Sequence, residues 1–228
     1  MSEPIVQLVD VIRVYREADV ETVALRGVDL EIQPGEFVAI MGRSGSGKST
    51  LLQLLAGSDR PTAGRVIVAG VDLSRADEDQ RASLRGARVG IVFQSQNLVP
   101  FLNLEENIEL AAALAGHPVE RAVARGILAR VGLDGRESHR AAQLSGGEQQ
   151  RAALAVVLVT KASIVLADEI TGELDSANAA LLLDLLVEVH DAEAMTLVLA
   201  THDPEVAARA DRLIELRDGR VVGERRLA

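Results

Sequence analysis

The sequence predicts an α/β fold in which a mainly parallel sheet is covered on both faces by helices. Three observations point there. Short apolar runs such as Phe37-Val38-Ala39-Ile40-Met41 and Ile164-Val165-Leu166-Ala167 recur along the chain, with helical stretches between them. Unbroken apolar runs of this kind suit strands buried on both faces. The chain has 228 residues, of which 48% are hydrophobic, enough for a sizeable core in one large domain or two small ones.

From Ile5 to Ile32 the pattern is mixed, and only Val28-Asp29-Leu30-Glu31-Ile32 alternates as a strand should. Pro34-Gly35 turns the chain into a buried strand from Glu36 to Met41. A glycine-rich loop follows, then a helix from Ser49 to Ala56 stopped by Gly57. Gly64 to Val71 reads as a strand, Asp77 to Leu84 as a short polar helix, and Val89 to Phe93 as a strand. The middle is helical. Asn103-Leu104-Glu105-Glu106 has the letters of a capping box opening a helix to Leu114. Pro118 stands where a first helical residue would, ahead of a helix to about Val131, and Ser145 to Thr160 forms a third. The α/β pattern then resumes with a strand Ser163–Ala167, a Leu-rich helix Ser176–His190 and a strand Thr196–Ala200. A short helix Glu205–Ala210 and a hairpin Arg212–Val222, turning at Asp218-Gly219, complete the chain. The helical block 97–159 is therefore expected as an insertion between strands.

Composition narrows the function. With no cysteine, disulfides and thiolate metal sites are excluded. A net charge of −10 argues against a broad basic surface for nucleic acid. The opening MSEPIVQLVD has neither a basic n-region nor a long apolar core. The longest apolar stretch, Ala152–Val159, falls far short of the ~20 residues of a membrane span. A soluble intracellular chain is expected. Of 24 basic residues only Lys48 and Lys161 are lysines, which suggests that lysine stands where a compact ammonium is wanted. His117, His139 and His190 read as solvent-facing.

Gly42-Arg43-Ser44-Gly45-Ser46-Gly47-Lys48-Ser49-Thr50 fits the phosphate-loop pattern GxxxxGK[ST]. Glycines let the backbone wrap a phosphate and aim N–H groups at it, and the following helix adds the positive end of its dipole. Lys48 would neutralise the β- and γ-phosphates and Ser49 would ligate Mg²⁺. An ordinary Gly/Ser turn could carry these letters; the strand before, the helix after and the use of one of two lysines favour the phosphate cradle. Ile164-Val165-Leu166-Ala167-Asp168-Glu169 is an apolar strand ending in two acids. Asp168 at that tip can hold the Mg²⁺ shell, and Glu169 can polarise a water for in-line attack.

Leu144-Ser145-Gly146-Gly147-Glu148-Gln149-Gln150-Arg151 lies between these two motifs and resembles the signature of ATP-binding cassette (ABC) ATPases. The likeness runs over essentially the whole chain. It implies a single ATPase domain, 1–228, with a P-loop NTPase (RecA-like) core, a small antiparallel β subdomain and an inserted α-helical subdomain, 97–159. ATP and Mg²⁺ are the implied cofactors. The turn Ser145-Gly146-Gly147, a helix start able to offer free N–H groups, would bind the γ-phosphate held by a second cassette. Gln94 resembles the glutamine that touches Mg²⁺ or the attacking water, and the segment Ser95 to Asn103 would face a partner. His202 is similar to the histidine that contacts the γ-phosphate. Gly172-Glu173-Leu174-Asp175 resembles the loop that crosses the dimer interface, and Tyr15 the aromatic that stacks on adenine. Read without the resemblance, these are a polar residue after a strand, a loop histidine, a helix cap and one ring.

Two positions depart from the family pattern. Arg43 replaces a commoner proline or small residue, and Ile170 replaces the usual proline after the catalytic glutamate. Neither removes a chemical group, so a hydrolysis-competent chain is implied. The resemblance further implies a head-to-tail dimer with a second cassette, taken as a second copy, and an integral membrane permease that holds the chain at the inner face of the cell membrane. Val99-Pro100-Phe101-Leu102 would suit a groove for a coupling helix, or else pack the lobe itself. Within the family, runs such as Leu166-Ala167-Asp168-Glu169-Ile170-Thr171-Gly172 look most like bacterial cassettes of the lipoprotein-releasing, macrolide-exporting and cell-division type. A soluble ABC ATPase and a motor regulating cell-wall enzymes are the alternatives; the signature turn argues against a P-loop kinase or GTPase.

Overall fold

A computed structural model of the chain describes residues 3–18, 20–95 and 97–227. Met1 and Ser2 of the opening stretch, and Gln96 of the segment after Gln94, lie outside these. The polypeptide forms two sheets. Strands β1 (Val6–Glu17), β2 (Val20–Ile32), β4 (Ala63–Val68) and β5 (Val71–Asp72) make an antiparallel sheet in the order β2-β1-β4-β5. Strands β3 (Phe37–Met41), β6 (Val89–Val92), β7 (Ile164–Asp168), β8 (Thr196–Thr201), β9 (Arg212–Arg217) and β10 (Arg220–Arg226) make the second, in the order β10-β9-β3-β8-β7-β6. All its pairings are parallel except β9 with β10.

The parallel sheet is apolar on both sides, and the period of two divides its residues between two cores. Val38, Ile40, Ile164, Leu166, Val198 and Ala200 face α1 (Lys48–Leu55) and the antiparallel sheet. Phe37, Ala39, Val165, Ala167, Leu197 and Leu199 face the other helices. Those helices are α3 (Leu104–Leu114), α4 (Arg121–Arg130) and α5 (Gly146–Val159), which run between β6 and β7, and α6 (Ser176–Glu193) after β7. Helices α2 (Glu78–Ala87) and α7 (Pro204–Ala207) are shorter connections.

Several expectations need correction. The mixed tract 5–32 is two long strands, because facing bulges break its alternation. Asp10 (φ 47°) and Gly27 (φ 77°) both take left-handed backbone, and the buried positions step from Leu8 to Val11 and from Leu25 to Val28. The strand expected over 64–71 is a hairpin, turned at Ala69-Gly70, with Val68 paired to Val71. Pro118 does not begin a helix. The stretch 116–120 is spent as a connection in which the His117 ring meets the Thr160 carbonyl at 2.9 Å, and α4 starts after Glu120. His190 is buried rather than solvent-facing: its Nδ1 is 2.8 Å from the Met195 carbonyl and its ring packs on Phe37 at 5.7 Å.

Candidate functional site

The glycine-rich loop joins the end of β3 to α1, and neighbouring atoms leave no room for a side chain at Gly42 or Gly47, though Gly45 stands open. A Cβ at Gly42 would stand 2.4 Å from the Leu216 carbonyl oxygen and from Ser46 Oγ. Gly47, the N-cap of α1, has φ 107°, no side-chain cap, and no acidic residue in the turn that follows. The positive end of α1 is thus left open toward the loop. Lys48 is 5% exposed; its Nζ donates to the carbonyls of Gly42 at 2.9 Å and Arg43 at 3.3 Å, curling under the loop. Ser46 Oγ is buried with no hydrogen-bond partner among the described residues. Gly42 to Ser46, His202 and Glu215 to Asp218 border a cleft of about 650 Å³.

The tip of β7 meets this loop from the side. Glu169 takes φ 47°, unusual for a residue with a side chain, and its amide donates to Ala200 O at 3.0 Å. That turn sets one carboxylate oxygen 3.2 Å from Lys48 Nζ and the other 3.2 Å from His202 Nδ1. Partial burial pushes the Glu169 carboxyl upward, but Lys48 and then His202 outweigh it, leaving the group below the usual range. Asp168 is shifted the other way. Its burial is the largest influence and raises its carboxyl above the usual range, against the hydrogen bond from Ser49. Asp168 Oδ1 is buried without a hydrogen-bond partner among the described residues. A hydroxyl joined to a carboxylate with an orphaned oxygen is a hard, all-oxygen donor set, which suits Mg²⁺ supplemented by phosphate oxygens and water. Among the described residues no group of three or more His, Asp or Glu side chains could hold a metal by itself.

The structure therefore brings together Gly42 to Lys48, Ser49, Asp168, Glu169 and His202, with Thr50 next along α1. It does not bring Gln94 or Tyr15 into the same contacts. Gln94 Nε2 donates to Glu173 Oε1 at 3.2 Å and lines a second cleft with Gly146, Gln149 and Gln150. The Tyr15 hydroxyl donates to Asp59 at 2.8 Å, and the Arg13 guanidinium covers one ring face at 4.4 Å. Tyr15 also lines a cavity of about 370 Å³ that reaches Ser49 and Asp168.

The start of α5 is organised differently. Ser145 caps it, accepting from the Glu148 amide at 3.3 Å, while the Ser145 amide and hydroxyl both donate to the Glu148 carboxylate at 2.8 Å. These bonds hold the Glu148 carboxyl below its usual range. A Cβ at Gly147 would meet Asn178 Oδ1 at 2.8 Å. Asn178 is held in turn by Asp175, the N-cap of α6, at 3.0 Å from its amide and 2.6 Å from its side chain. Gln150, 6% exposed, donates to the carbonyls of Phe93 at 3.3 Å and of Gln94. Gln150 and Glu173 were missed by sequence reasoning; both lie within the motifs, yet nothing in their spacing shows where their side chains point.

Comparison with known proteins shows the family. The family described as ABC transporter matches residues 25–172. The chain is 49% identical over 226 residues to the macrolide export ATP-binding/permease protein MacB of Hyphomonas neptunium, covering 98% of this chain and 35% of that protein. It is 46% identical over 227 residues to the pyoverdine export ATP-binding/permease protein PvdT of Pseudomonas entomophila, again covering 98% and 35%. The chain thus spans about a third of the length of the curated relatives it matches. Among solved structures it superposes on the dimeric, post-hydrolysis state of the ATP-binding cassette MJ0796 bound to ADP and Pi, with a TM-score of 0.91 and 37% identity over 98% of this chain and 99% of that one. With its glycine-rich loop, acidic strand tip and second glycine-rich helix start, this chain belongs to the ABC transporter family and is an ATPase cassette of it.

Proposed function

We propose that two copies of this cassette close head-to-tail around two ATP molecules and drive conformational change in an integral membrane permease, for export or for mechanical transmission. One observation carries the proposal: the site comes in two halves within the chain. Lys48 and Glu169 join His202, which borders the cleft along Gly42 to Ser46, whereas Gly146 of the Ser145-Gly146-Gly147 turn borders a second cleft with Gln94 and Gln150, and the two clefts share no lining residue. A second copy would supply the missing half.

In this reading the Gly42–Gly47 amides and the start of α1 cradle the phosphates, and Lys48 exchanges its bond to Glu169 for the β- and γ-phosphate oxygens. Ser49 and Asp168 would hold Mg²⁺, which when bound offsets phosphate charge. Glu169, held ionised, accepts the proton of the attacking water, and His202 positions it from its far side. Gln94 leaves Glu173 to reach the water, and Tyr15 offers its ring to adenine. Asp175 lies beside the signature turn, where it would meet the second copy.

The permease proposal has two supports. The curated relatives are named as joined ATP-binding and permease proteins, and Phe101, 71% exposed, stands clear of the core between Pro100 and Leu102. An aromatic presented this way suits the groove side of a helix-in-groove contact. Association with the inner face of the membrane would follow from that contact, since among the described residues no helix is long and apolar enough to cross a membrane.

Glu169→Gln tests the cycle. Hydrolysis should fall by roughly 10²–10⁴-fold, and sedimentation should show the variant as a dimer in excess Mg-ATP. A variant that binds ATP yet stays monomeric at every concentration would overturn the head-to-tail reading.

A further inference from the structure

The β9–β10 hairpin turns at Asp218 (φ 49°) and Gly219 (φ 74°), with Arg217 paired to Arg220, so both central residues are left-handed. In such a turn the second residue keeps a free N–H and C=O. Here neither is left to solvent. Gly219 N–H donates to Ser46 O of the glycine-rich loop at 3.0 Å, and Gly219 O accepts from the Arg26 amide of β2 at 2.8 Å. One residue, more than 170 positions downstream by sequence numbering, thus braces the loop against the antiparallel sheet. A Cβ there would stand 2.6 Å from Ala24 O and 3.0 Å from Leu25 Cα, and Gly47 packs on the same strand, its own Cβ position lying 2.7 Å from Ala24 O.

The planar trans peptide gives this brace a chemical consequence. In the unit joining Ser46 to Gly47, C=O and N–H point in opposite directions. Fixing Ser46 O toward the hairpin therefore fixes Gly47 N–H away from it. We propose that Gly219 is a positioning residue for the phosphate cradle, acting through the Ser46–Gly47 peptide and touching no nucleotide itself. The proposal rests on the reading of residues 42–50 as that cradle.

The molecule carries its own control. Gly70 is also the second residue of a two-residue turn (Ala69 φ 47°, Gly70 φ 80°), but a Cβ there meets nothing within 4 Å. Gly70→Ala thus adds the backbone strain alone, whereas Gly219→Ala adds the same strain and displaces the brace. Gly219→Ala should raise the KM for Mg-ATP about tenfold, the equivalent of losing one charge-assisted contact, with kcat changed less than KM. Gly70→Ala should leave KM unchanged. A merely structural role for Gly219 would lower the active fraction, and so the apparent kcat, at constant KM. Equal KM values for the two variants would overturn the proposal. Should Gly219→Ala fail to fold, amide exchange on the unaltered chain decides: protection of Gly219 N–H must rise when ATP is added, and a protection indifferent to ATP overturns it. An unaltered chain that binds no ATP would instead overturn the cradle reading itself.

Discussion

Helices α1 and α5 both open on glycine-rich turns, yet α1 begins at Gly47 with no side-chain cap and no acid in its first turn, whereas α5 begins at Ser145 inside a closed capping box with Glu148. Both starts carry the positive end of a helix dipole. At α1 no acid of the helix's own first turn answers it, and the nearby cation, Lys48, is turned back on the loop and Glu169. At α5 the carboxylate of Glu148 already answers it. On the proposed reading, the first start would take an anion with no acid of its own turn in the way. The second would take one only in competition with its own glutamate.

Three changes sharpen or break this contrast, and the first is the largest. Lys48→Ala should weaken Mg-ATP binding about 100-fold or more, since a buried ammonium and its charge-assisted contacts are lost. Equilibrium titration with a fluorescent ATP analogue checks this; near-normal affinity would mean that the open helix start suffices without the cation. Next, Glu148→Gln keeps a side chain able to accept from Ser145 but removes the charge. ATP-driven dimerisation should strengthen by roughly three- to tenfold while ATP affinity of the separate chain stays put. Dimerisation unchanged or weaker would show that Glu148 does not compete with the phosphate.

The smallest effect concerns stability. Burial raises the Asp168 carboxyl above its ordinary value of 3.8, so between that value and the raised one the folded chain holds the proton more often than the unfolded chain does. Stability of the nucleotide-free chain therefore falls as pH rises through this window and levels off above it. Asp168→Asn should flatten that fall and, at neutral pH, gain about 1 kcal/mol in urea unfolding, at the cost of Mg²⁺-dependent hydrolysis. Loss of stability instead would mean that the Ser49 bond outweighs the buried charge.

That the glycine-rich loop and the acidic strand tip belong together was legible because such motifs set local residue types at fixed spacing, and the parallel strands because burial on both faces demands apolar runs. The antiparallel hairpin of β1 and β2 was not, since its bulges at Asp10 and Gly27 move the buried face by one residue midway. Pro118 misled because its fixed φ suits a loop as well as a first helical turn. Gln94 was legible as a motif letter but not as a partner of Glu173, and the Arg13–Asp59 pair that occupies Tyr15 joins residues 46 apart in sequence. Pairings of that range leave no periodic trace.

The buried amide of Gln150 has a mechanical corollary. Its two bonds fasten the end of β6 to α5 at a point five residues from the Ser145 cap, roughly 7–8 Å along the helix axis at 1.5 Å per residue. If the segment beyond Gln94 is pushed, either those bonds break and strand an unpaired amide at about 1–3 kcal/mol, or the helix follows. A displacement that kept both bonds would carry the start of α5 with it, so this one side chain ties the position of the segment that leads to Phe101 to that of the glycine-rich turn.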